Sequence, residues 1–320
     1  MRDCLGRTID YLRISLTSGC NMRCMYCCPS GTGCHAAMMP MADCLRLVPL
    51  IVSTGISKIR FTGGEPLLYP HLAELIAQFA KLPGVQKTAV TTNGILLAGQ
   101  AEKLRHSGLN EVNISLDAVH DDVFFKMNKG RLKDVLSGIE EAKRIGLAIK
   151  LNSVILKGVN EAEIVPLVQF AREHKIVLRF IELMPFGAAA HWQGASEAEI
   201  ISAIEEEYGR LHDLKTGDKK SPAHYCTAEG FAVPVGFISA ISHNFCAHCS
   251  RIRLTADGIL RPCLLHSGGT DLKAMLKAGC SDEEIKEAVQ KCIFHKPERH
   301  HLTQSLPEMK DCKSMVQIGG

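Results

Sequence analysis

Short runs of β-branched and apolar residues alternate with longer segments of helical periodicity along the first two thirds of this chain. The runs are 11–17, 58–62, 88–92, 111–116, 147–155 and 176–183, and the helical segments include 71–81, 98–107, 131–145, 161–173 and 196–208. Six β/α units within about 210 residues predict an α/β fold whose parallel strands are joined by helical crossovers. Periodicity alone leaves two architectures open, a doubly wound sheet and an incomplete TIM-like barrel.

The chemically unusual residues follow the predicted strands. A cysteine cluster follows the first strand, and the later strand ends carry 63–65, 91–94, 115–117 and 182–184. Because the carboxyl ends of parallel strands build the active site in barrels and open sheets alike, we expect these loops to share one rim. The alternation fades after Tyr208, so we place a boundary near residue 210 and expect a smaller α+β region over 211–320.

Composition excludes several classes of protein. The chain has 320 residues, 46% hydrophobic and 22% charged, which is typical of a folded protein rather than a disordered one. A net charge of +3 with no basic block predicts no nucleic-acid partner. The most apolar stretch, 45–56, is interrupted by Pro49 and predicts no membrane span. Arg2, Asp3 and Arg7 leave no apolar core for a secretory signal, so we expect a cytoplasmic protein.

Fourteen cysteines in a reducing compartment point to metal binding or redox chemistry rather than to disulfides. Cys20, Cys24 and Cys27 are separated by three and then two residues. Three closely spaced thiolates can hold a cubane iron-sulfur cluster and leave its fourth iron open to a substrate or cofactor. The alternatives are structural zinc, which in closed sites takes four protein ligands, and inert buried thiols.

A second cysteine group is less specific. Cys246 and Cys249 form a CxxC element, and Cys263 follows after thirteen residues. His248 or His266 could complete a Cys₃His zinc site, and three thiolates could equally hold a second iron-sulfur cluster. The residues alone leave this choice open.

Several strings in the chain match a known family in order. They are the CxxxCxxC loop with Tyr26, "KIRFTGGEPLL", "TTNG", "RFIELMP", "RIRLTADG", "KPERHHL" and the terminal Gly319-Gly320. The first motif resembles that of radical S-adenosylmethionine (SAM) enzymes. Over essentially the whole chain, the sequence is similar to the molybdenum cofactor biosynthesis protein A family, the GTP 3',8-cyclases.

The resemblance implies two [4Fe-4S] clusters and SAM as cofactors. Cys20, Cys24 and Cys27 would hold the cluster that binds SAM, whereas Cys246, Cys249 and Cys263 would hold a cluster that binds the guanine of the substrate. The likeness thus favours iron and sulfur over zinc in the second group. The positions that match SAM contacts in the family are Tyr26, Gly64, Glu65, Ser115 and Met184.

The resemblance also implies the substrate, GTP, and the reaction. A SAM-derived 5'-deoxyadenosyl radical would take the ribose H3', and the C3' radical would attack C8. Reduction and protonation would then give 3',8-cyclo-7,8-dihydro-GTP, the first intermediate of molybdopterin synthesis. Arginine and lysine side chains suit triphosphate oxygens. The expected GTP contacts are Arg13, Arg60, Thr91, Lys150, Arg251, Ile252 and Arg253, and the expected catalytic residues are Arg179, Gly319 and Gly320.

The resemblance to this family further implies three interactions: a homodimer, a flavodoxin- or ferredoxin-type reductant, and a cyclic pyranopterin monophosphate synthase that takes the product. Two other readings compete. A peptide-modifying radical SAM enzyme would have no evident need for so many phosphate-type cations, and a zinc-stabilised module without catalysis would be colourless. Cys28 stands where family members commonly have methionine. The seven cysteines outside these motifs are predicted to be reduced structural or surface thiols: Cys4, Cys34, Cys44, Cys226, Cys280, Cys292 and Cys312.

Overall fold

One twelve-stranded sheet organises the molecule. The computed structural model describes residues 1–28, 37–215, 221–266, 268–300 and 315–318. The strands are β1 (Tyr11–Ser15), β2 (Lys58–Thr62), β3 (Lys87–Thr92), β4 (Glu111–Ser115), β5 (Ala148–Ser153), β6 (Val177–Ile181), β7 (His212–Leu214), β8 (His224–Thr227), β9 (Val235–Ile238), β10 (Arg251–Leu254), β11 (Ile259–Arg261) and β12 (Thr270–Asp271). Their order across the sheet is β12-β11-β10-β1-β2-β3-β4-β5-β6-β9-β8-β7.

Ten α-helices accompany these strands in the described part of the chain. They are α1 (Met41–Val52), α2 (Leu72–Phe79), α3 (Ala101–His106), α4 (Asp121–Asn128), α5 (Leu132–Arg144), α6 (Ile164–His174), α7 (Glu197–Tyr208), α8 (Leu272–Lys277), α9 (Asp282–Phe294) and α10 (Met315–Ile318). None of these helices is long and apolar enough to cross a membrane.

The central eight strands, β10, β1 to β6 and β9, run parallel, and antiparallel strands extend both edges. The described sheet therefore ends at β12 and β7 and does not close. Of the two architectures that the periodicity left open, the structure has the incomplete α/β barrel. Segments after residue 210 join the same sheet at both ends, and the boundary placed there stays a prediction.

The two faces of the central strands differ in polarity. Residues that face the helices are buried and apolar, as with Leu12, Ile59, Val112, Leu178 and Ile252. Each large aliphatic side chain buried in this way contributes about 1.5–3 kcal/mol. The alternate positions face the interior of the open barrel and are mostly polar or charged. The interior of a TIM barrel is filled by packed side chains. The interior of this open barrel instead contains a cavity that a ligand can occupy.

The six predicted β/α units are present, with boundaries within a few residues of those predicted. Among the described residues before residue 210, two helices were not predicted. The stretch 45–56 largely forms α1, which buries Cys44, Leu47, Val48 and Ile51 at helical spacing although Pro49 lies inside it. The short helix α4 follows β4 and supports the first cysteine loop.

Candidate active site

A cavity of about 610 Å³ runs through the barrel interior and contacts both cysteine groups. Cys20, Cys24 and Cys27 follow the carboxyl end of β1. Cys246 and Cys249 precede the amino end of β10, which is parallel to β1. Opposite ends of parallel neighbours lie at opposite ends of the barrel, so the two groups face each other through the cavity. Cys263 follows β11, which is antiparallel to β10, and so joins the second group.

Backbone contacts shape the first cysteine loop. The Arg23 and Met25 amides donate to the carbonyls of Asn128 and Met127 at the end of α4, each at 2.9 Å. Trp192 Nε1 donates to the Met25 carbonyl at 3.0 Å. The loop is thereby held from two sides with its thiols lining the cavity.

Gly63 and Gly64 are required where this loop crosses the end of β2. A Cβ on Gly63 would lie 2.3 Å from the Thr17 oxygen, and one on Gly64 would lie 2.2 Å from the Gly19 oxygen. The Gly64 amide donates to the Thr17 carbonyl at 2.6 Å. The close backbone approach that glycine permits is thus used to pack the end of β2 against the cysteine loop.

Glu65 lies behind the cavity wall. Its carboxylate is fully buried and accepts from Leu67 N, Thr92 Oγ1 and Asn93 N at 2.7 to 2.9 Å. Burial raises the pKa of Glu65 to about 7. The side-chain amide of Asn93 donates from Nδ2 to Cys20 Sγ at 3.8 Å. Glu65 is therefore connected to the first cysteine group through Asn93.

The other predicted SAM contacts line the cavity near the same end: Tyr26, Gly64, Ser115 and Met184. Tyr26 donates its hydroxyl proton to Asp117 Oδ2 at 2.8 Å. Asp117 also accepts from Val154 N at 2.8 Å, and burial raises its pKa to about 6. Asp117 lies in the rim segment 115–117 that was expected from the sequence, but no contact was assigned to it there.

Cationic side chains occupy the middle of the cavity. Arg13 on β1 lies in register with Arg60 on β2 and Arg253 on β10. Burial and the nearby Arg253 guanidinium hold the pKa of Arg13 well below its usual range, and burial brings that of Arg253 to about 10. Lys150 and Arg179 line the far wall, and burial lowers the pKa of both. Such crowding of like charges favours an anionic ligand.

Glu111 balances part of this charge. It accepts from Lys58 Nζ at 2.9 Å and Lys87 Nζ at 2.7 Å, and it pairs with Arg60. Although burial opposes ionisation, Arg60 and Lys58 hold the pKa of Glu111 well below its usual range. Arg60 also contacts the Tyr11 hydroxyl and Thr91 Oγ1, the latter at 3.2 Å. Arg60 is therefore fixed in place before any ligand arrives.

The second cysteine group lies among cations. Burial raises the pKa of Cys246. Burial also opposes ionisation of Cys249, but Arg251 and Lys296 bring its pKa down to about 6. Lys296 is itself buried, and its ammonium donates to the carbonyls of Arg251, at 2.8 Å, and Pro262. A cationic surrounding of this kind stabilises thiolates.

The spacing of the cysteines fits clusters better than zinc. Sulfurs that share one tetrahedral zinc lie about 3.8 Å apart, given Zn–S bonds of about 2.3 Å. In the described residues, the donor set whose atoms all lie within 4.8 Å is Asp213, His224 and Cys226, and neither cysteine triad is that tight. Ligands of a four-iron cluster bind different iron atoms and need this wider spacing.

Two acceptor atoms in the cavity wall have no partner among the described residues. Asn113 Oδ1 is buried and accepts no hydrogen bond. His300 Nε2 faces the Ala240 carbonyl at 2.8 Å and so carries the proton, whereas its buried Nδ1 has no partner. Because unsatisfied buried acceptors cost about 1–3 kcal/mol, both atoms fit a cavity whose occupant supplies donors.

Most of the predicted site residues meet in this cavity. Ile252 does not line it, because its side chain is fully buried under the helices between Arg251 and Arg253. Glu65 does not line it either. Gly319 and Gly320 lie outside the described residues, although Met315 lines the cavity and Ile318 packs near Phe186 at its wall. Five further residues line the cavity but were not predicted from the sequence: Tyr11, Lys58, Glu111, Asn113 and Asn152. Each alternates with apolar residues along its strand, and this alternation could have revealed them.

Comparisons with known families agree with this architecture. Residues 14–171 match the Radical SAM superfamily, and residues 176–302 match Molybdenum Cofactor Synthesis C. The chain is 41% identical to the GTP 3',8-cyclase of Clostridium perfringens (strain 13 / Type A), with all of both chains covered. It is 39% identical to the GTP 3',8-cyclase of Pelotomaculum thermopropionicum, again over the full length of both.

Solved structures share the fold. Streptococcus suis SuiB bound to S-adenosylmethionine superimposes with a TM-score of 0.62 at 16% identity, covering 86% of this chain and 66% of that one. The structure of anSMEcpe with bound AdoMet gives a TM-score of 0.61 at 16% identity, covering 96% and 87%. At this identity the likeness concerns the fold alone.

Proposed function

The chain belongs to the GTP 3',8-cyclases of the radical SAM superfamily, and we propose that its reaction takes place inside the barrel, between the two cysteine groups. The enzyme converts GTP into 3',8-cyclo-7,8-dihydro-GTP, the first step of molybdenum cofactor biosynthesis. The observation that carries the proposed placement is the polar interior, in which cations lie between two sets of thiols at opposite ends.

Cys20, Cys24 and Cys27 hold the [4Fe-4S] cluster that binds SAM, and Cys246, Cys249 and Cys263 hold the second. With SAM bound, the first cluster would supply the electron that cleaves SAM to methionine and the 5'-deoxyadenosyl radical, and this radical would take H3' from the ribose. Tyr26, Gly64, Ser115 and Met184 surround the SAM end of the cavity. Glu65 acts from behind the wall, because its carboxylate fixes Asn93 beside Cys20.

The chain's own residues orient GTP. Arg13, Arg60 and Arg253 present guanidinium groups in register from three adjacent strands, which suits successive phosphate oxygens. Lys150 and Arg179 approach from the opposite wall, and Thr91 adds a hydroxyl beside Arg60. The guanine then lies at the second cysteine group and the ribose faces the SAM end. Fixing C3' and C8 in this way lowers the entropic cost of ring closure.

Further roles extend the proposal beyond the described residues. Gly319 and Gly320 follow α10 in the sequence, and Met315 of that helix lines the cavity. On this ground we assign the two glycines a catalytic role. Removing both glycines should reduce turnover while both clusters stay loaded; unchanged turnover would refute this role.

Partners follow from the chemistry. Reductive cleavage of SAM needs one electron, and reduction of the cyclised radical to the product needs a second electron with a proton from solvent. We propose a flavodoxin- or ferredoxin-type donor for these electrons. On the resemblance to the family, we further propose that the product passes to a cyclic pyranopterin monophosphate synthase and that the enzyme acts as a homodimer. The described cysteines form no disulfide, so a reducing, cytoplasmic location agrees with the need to keep two clusters intact.

The test is anaerobic reconstitution followed by incubation with reductant, SAM and GTP deuterated at C3'. We expect about eight irons per chain, GTP-dependent 5'-deoxyadenosine that carries deuterium, and a cyclised guanosine product. Arg210→Met changes an exposed arginine outside the cavity and is the control for Arg253→Met.

Three outcomes would contradict parts of the proposal. About four irons with turnover independent of GTP would overturn the substrate site. Deuterium absent from 5'-deoxyadenosine would overturn the placement of the ribose beside SAM. The guanidinium groups of Arg13, Arg60 and Arg253 form a cation row across three adjacent strands. Equal activity in Arg253→Met and Arg210→Met would overturn the role of this cation row in binding GTP.

A further inference from the structure

A second group of metal-binding side chains lies outside the cavity, on the hairpin at one edge of the sheet. Asp213 on β7 is directly opposite Cys226 on β8, and His224 lies two residues before Cys226. Residues two apart on a strand, and diagonal neighbours across a ladder, share one face. The three side chains therefore project from the same face of the hairpin.

The donor atoms are already close together. One ligand atom each from Asp213, His224 and Cys226 lies within 4.8 Å of the others. Cys226 Sγ lies 3.4 Å from Asp213 Oδ1. A sulfur and an oxygen that share a tetrahedral zinc would be about 3.5 Å apart. Asp213 and His224 are exposed, so small side-chain rotations can close the remaining gap.

A carboxylate from a third element adjoins the group. Glu197 at the start of α7 places Oε1 3.2 Å from His224 Nε2, and its side chain is only 11% exposed. Its other oxygen lies 3.3 Å from His243 Nδ1 and accepts from Ser239. Burial raises the pKa of Cys226 to about 12, and Asp213 and Glu197 add to this effect. The surroundings are therefore anionic, as a cation requires.

We propose that Asp213, His224 and Cys226 bind a zinc ion that fastens the β7–β8 hairpin, with Glu197 linking the site to α7. Thiolate and imidazole donors select zinc over magnesium or calcium, which prefer oxygen ligands. On binding, Cys226 forms the Zn–S bond and releases its proton to solvent, with no change of oxidation state. The site is independent of both iron-sulfur clusters, because none of its residues lines the cavity.

Zinc here would stabilise one wall of the active-site cavity. Tyr225 lies between His224 and Cys226, so its side chain faces the opposite way and lines the cavity. β7 is a three-residue edge strand, exposed throughout, that pairs with β8 alone among the described strands. A metal that bridges β7 and β8 therefore holds an otherwise weakly supported edge in place.

The experiment uses reconstituted enzyme with both clusters loaded, so that zinc cannot enter the cluster sites. One equivalent of Zn²⁺ is added anaerobically, the protein is passed through a column containing a weak chelator, and zinc and iron are measured by plasma mass spectrometry. We expect about one retained zinc with unchanged iron, and X-ray absorption at the zinc edge showing one sulfur neighbour. Asp213→Asn and Cys226→Ala should weaken zinc retention at least about tenfold.

Cys44→Ala is the matched control, because Cys44 is also a buried cysteine outside the motifs but lies on α1, and it should retain zinc like the wild type. The proposal is overturned if the wild type with full iron retains no zinc, if zinc has three sulfur neighbours, or if Asp213→Asn and Cys226→Ala bind zinc as well as the wild type. Because iron is measured in the same sample, loss of zinc is distinguished from loss of fold.

Discussion

Glu111→Gln tests whether one buried carboxylate holds the cation row of the active site together. Glu111 pairs with Arg60, Lys58 and Lys87, whose side chains are 3%, 27% and 45% exposed. The exposed Lys87 pair contributes at most about 1 kcal/mol. Removing the partner of a buried charge costs about 3–5 kcal/mol, so the loss at Arg60 dominates.

The expected destabilisation converts into a melting shift. Unfolding entropy scales with length and is about 0.7 kcal/mol/K for a chain of 320 residues. Glu111→Gln should therefore lower Tm by about 4–7 °C in anaerobic calorimetry of cluster-loaded protein without GTP. Glu74→Gln removes an exposed carboxylate that contacts His71 and should shift Tm by less than about 1 °C.

A double variant separates charge balance from local packing. In Glu111→Gln, the charge of Arg60 stays buried without its carboxylate partner. If this charge causes the destabilisation, Arg60→Met combined with Glu111→Gln should recover at least half of the lost Tm. A shift below about 1 °C in the single variant, or a double variant less stable than Glu111→Gln, would refute the reasoning.

Three further predictions concern the cavity wall and its ligands. Gly64→Ala places a Cβ 2.2 Å from the Gly19 oxygen and should abolish retention of the first cluster, read as loss of about four irons, whereas Gly99→Ala has open space and should retain all iron. Since burial raises the pKa of Glu65 from 4.5 to about 7, its contribution to stability is present below pH 4.5 and lost as pH rises through 7. Glu65→Gln should remove about 3 kcal/mol of that pH dependence, measured by calorimetry across the range, and an unchanged slope would contradict the assignment. Arg253→Met should lower kcat/KM for GTP about 10- to 100-fold in the deoxyadenosine assay, because it removes a charge-assisted phosphate contact; a loss below about threefold would exclude that contact.

Much of the fold could be predicted because its signals are local. Alternation of β-branched runs with helical segments gave the six β/α units, and the strand from Lys58 to Thr62 has the predicted bounds. The helix α1 was missed because Pro49 interrupts an apolar stretch that tertiary packing nevertheless stabilises as a helix. The inward role of Tyr11, Glu111 and Asn113 was missed because strand alternation was judged by its apolar members alone.

Cysteine spacing within one loop is a local property that needs no tertiary contact, so the sequence by itself determined which thiolates group together. Its resemblance to a known family then implied iron-sulfur clusters rather than zinc. Tertiary structure decided how the two cysteine groups are placed relative to one another. β10 lies more than two hundred residues after β1 yet pairs with it in parallel, which places Cys249 and Cys24 at opposite ends of one cavity. Tertiary structure also decided that Glu65 is buried behind the wall and that Ile252 faces the helices. Strand order and facing depend on long-range pairing and burial, which no short segment specifies on its own.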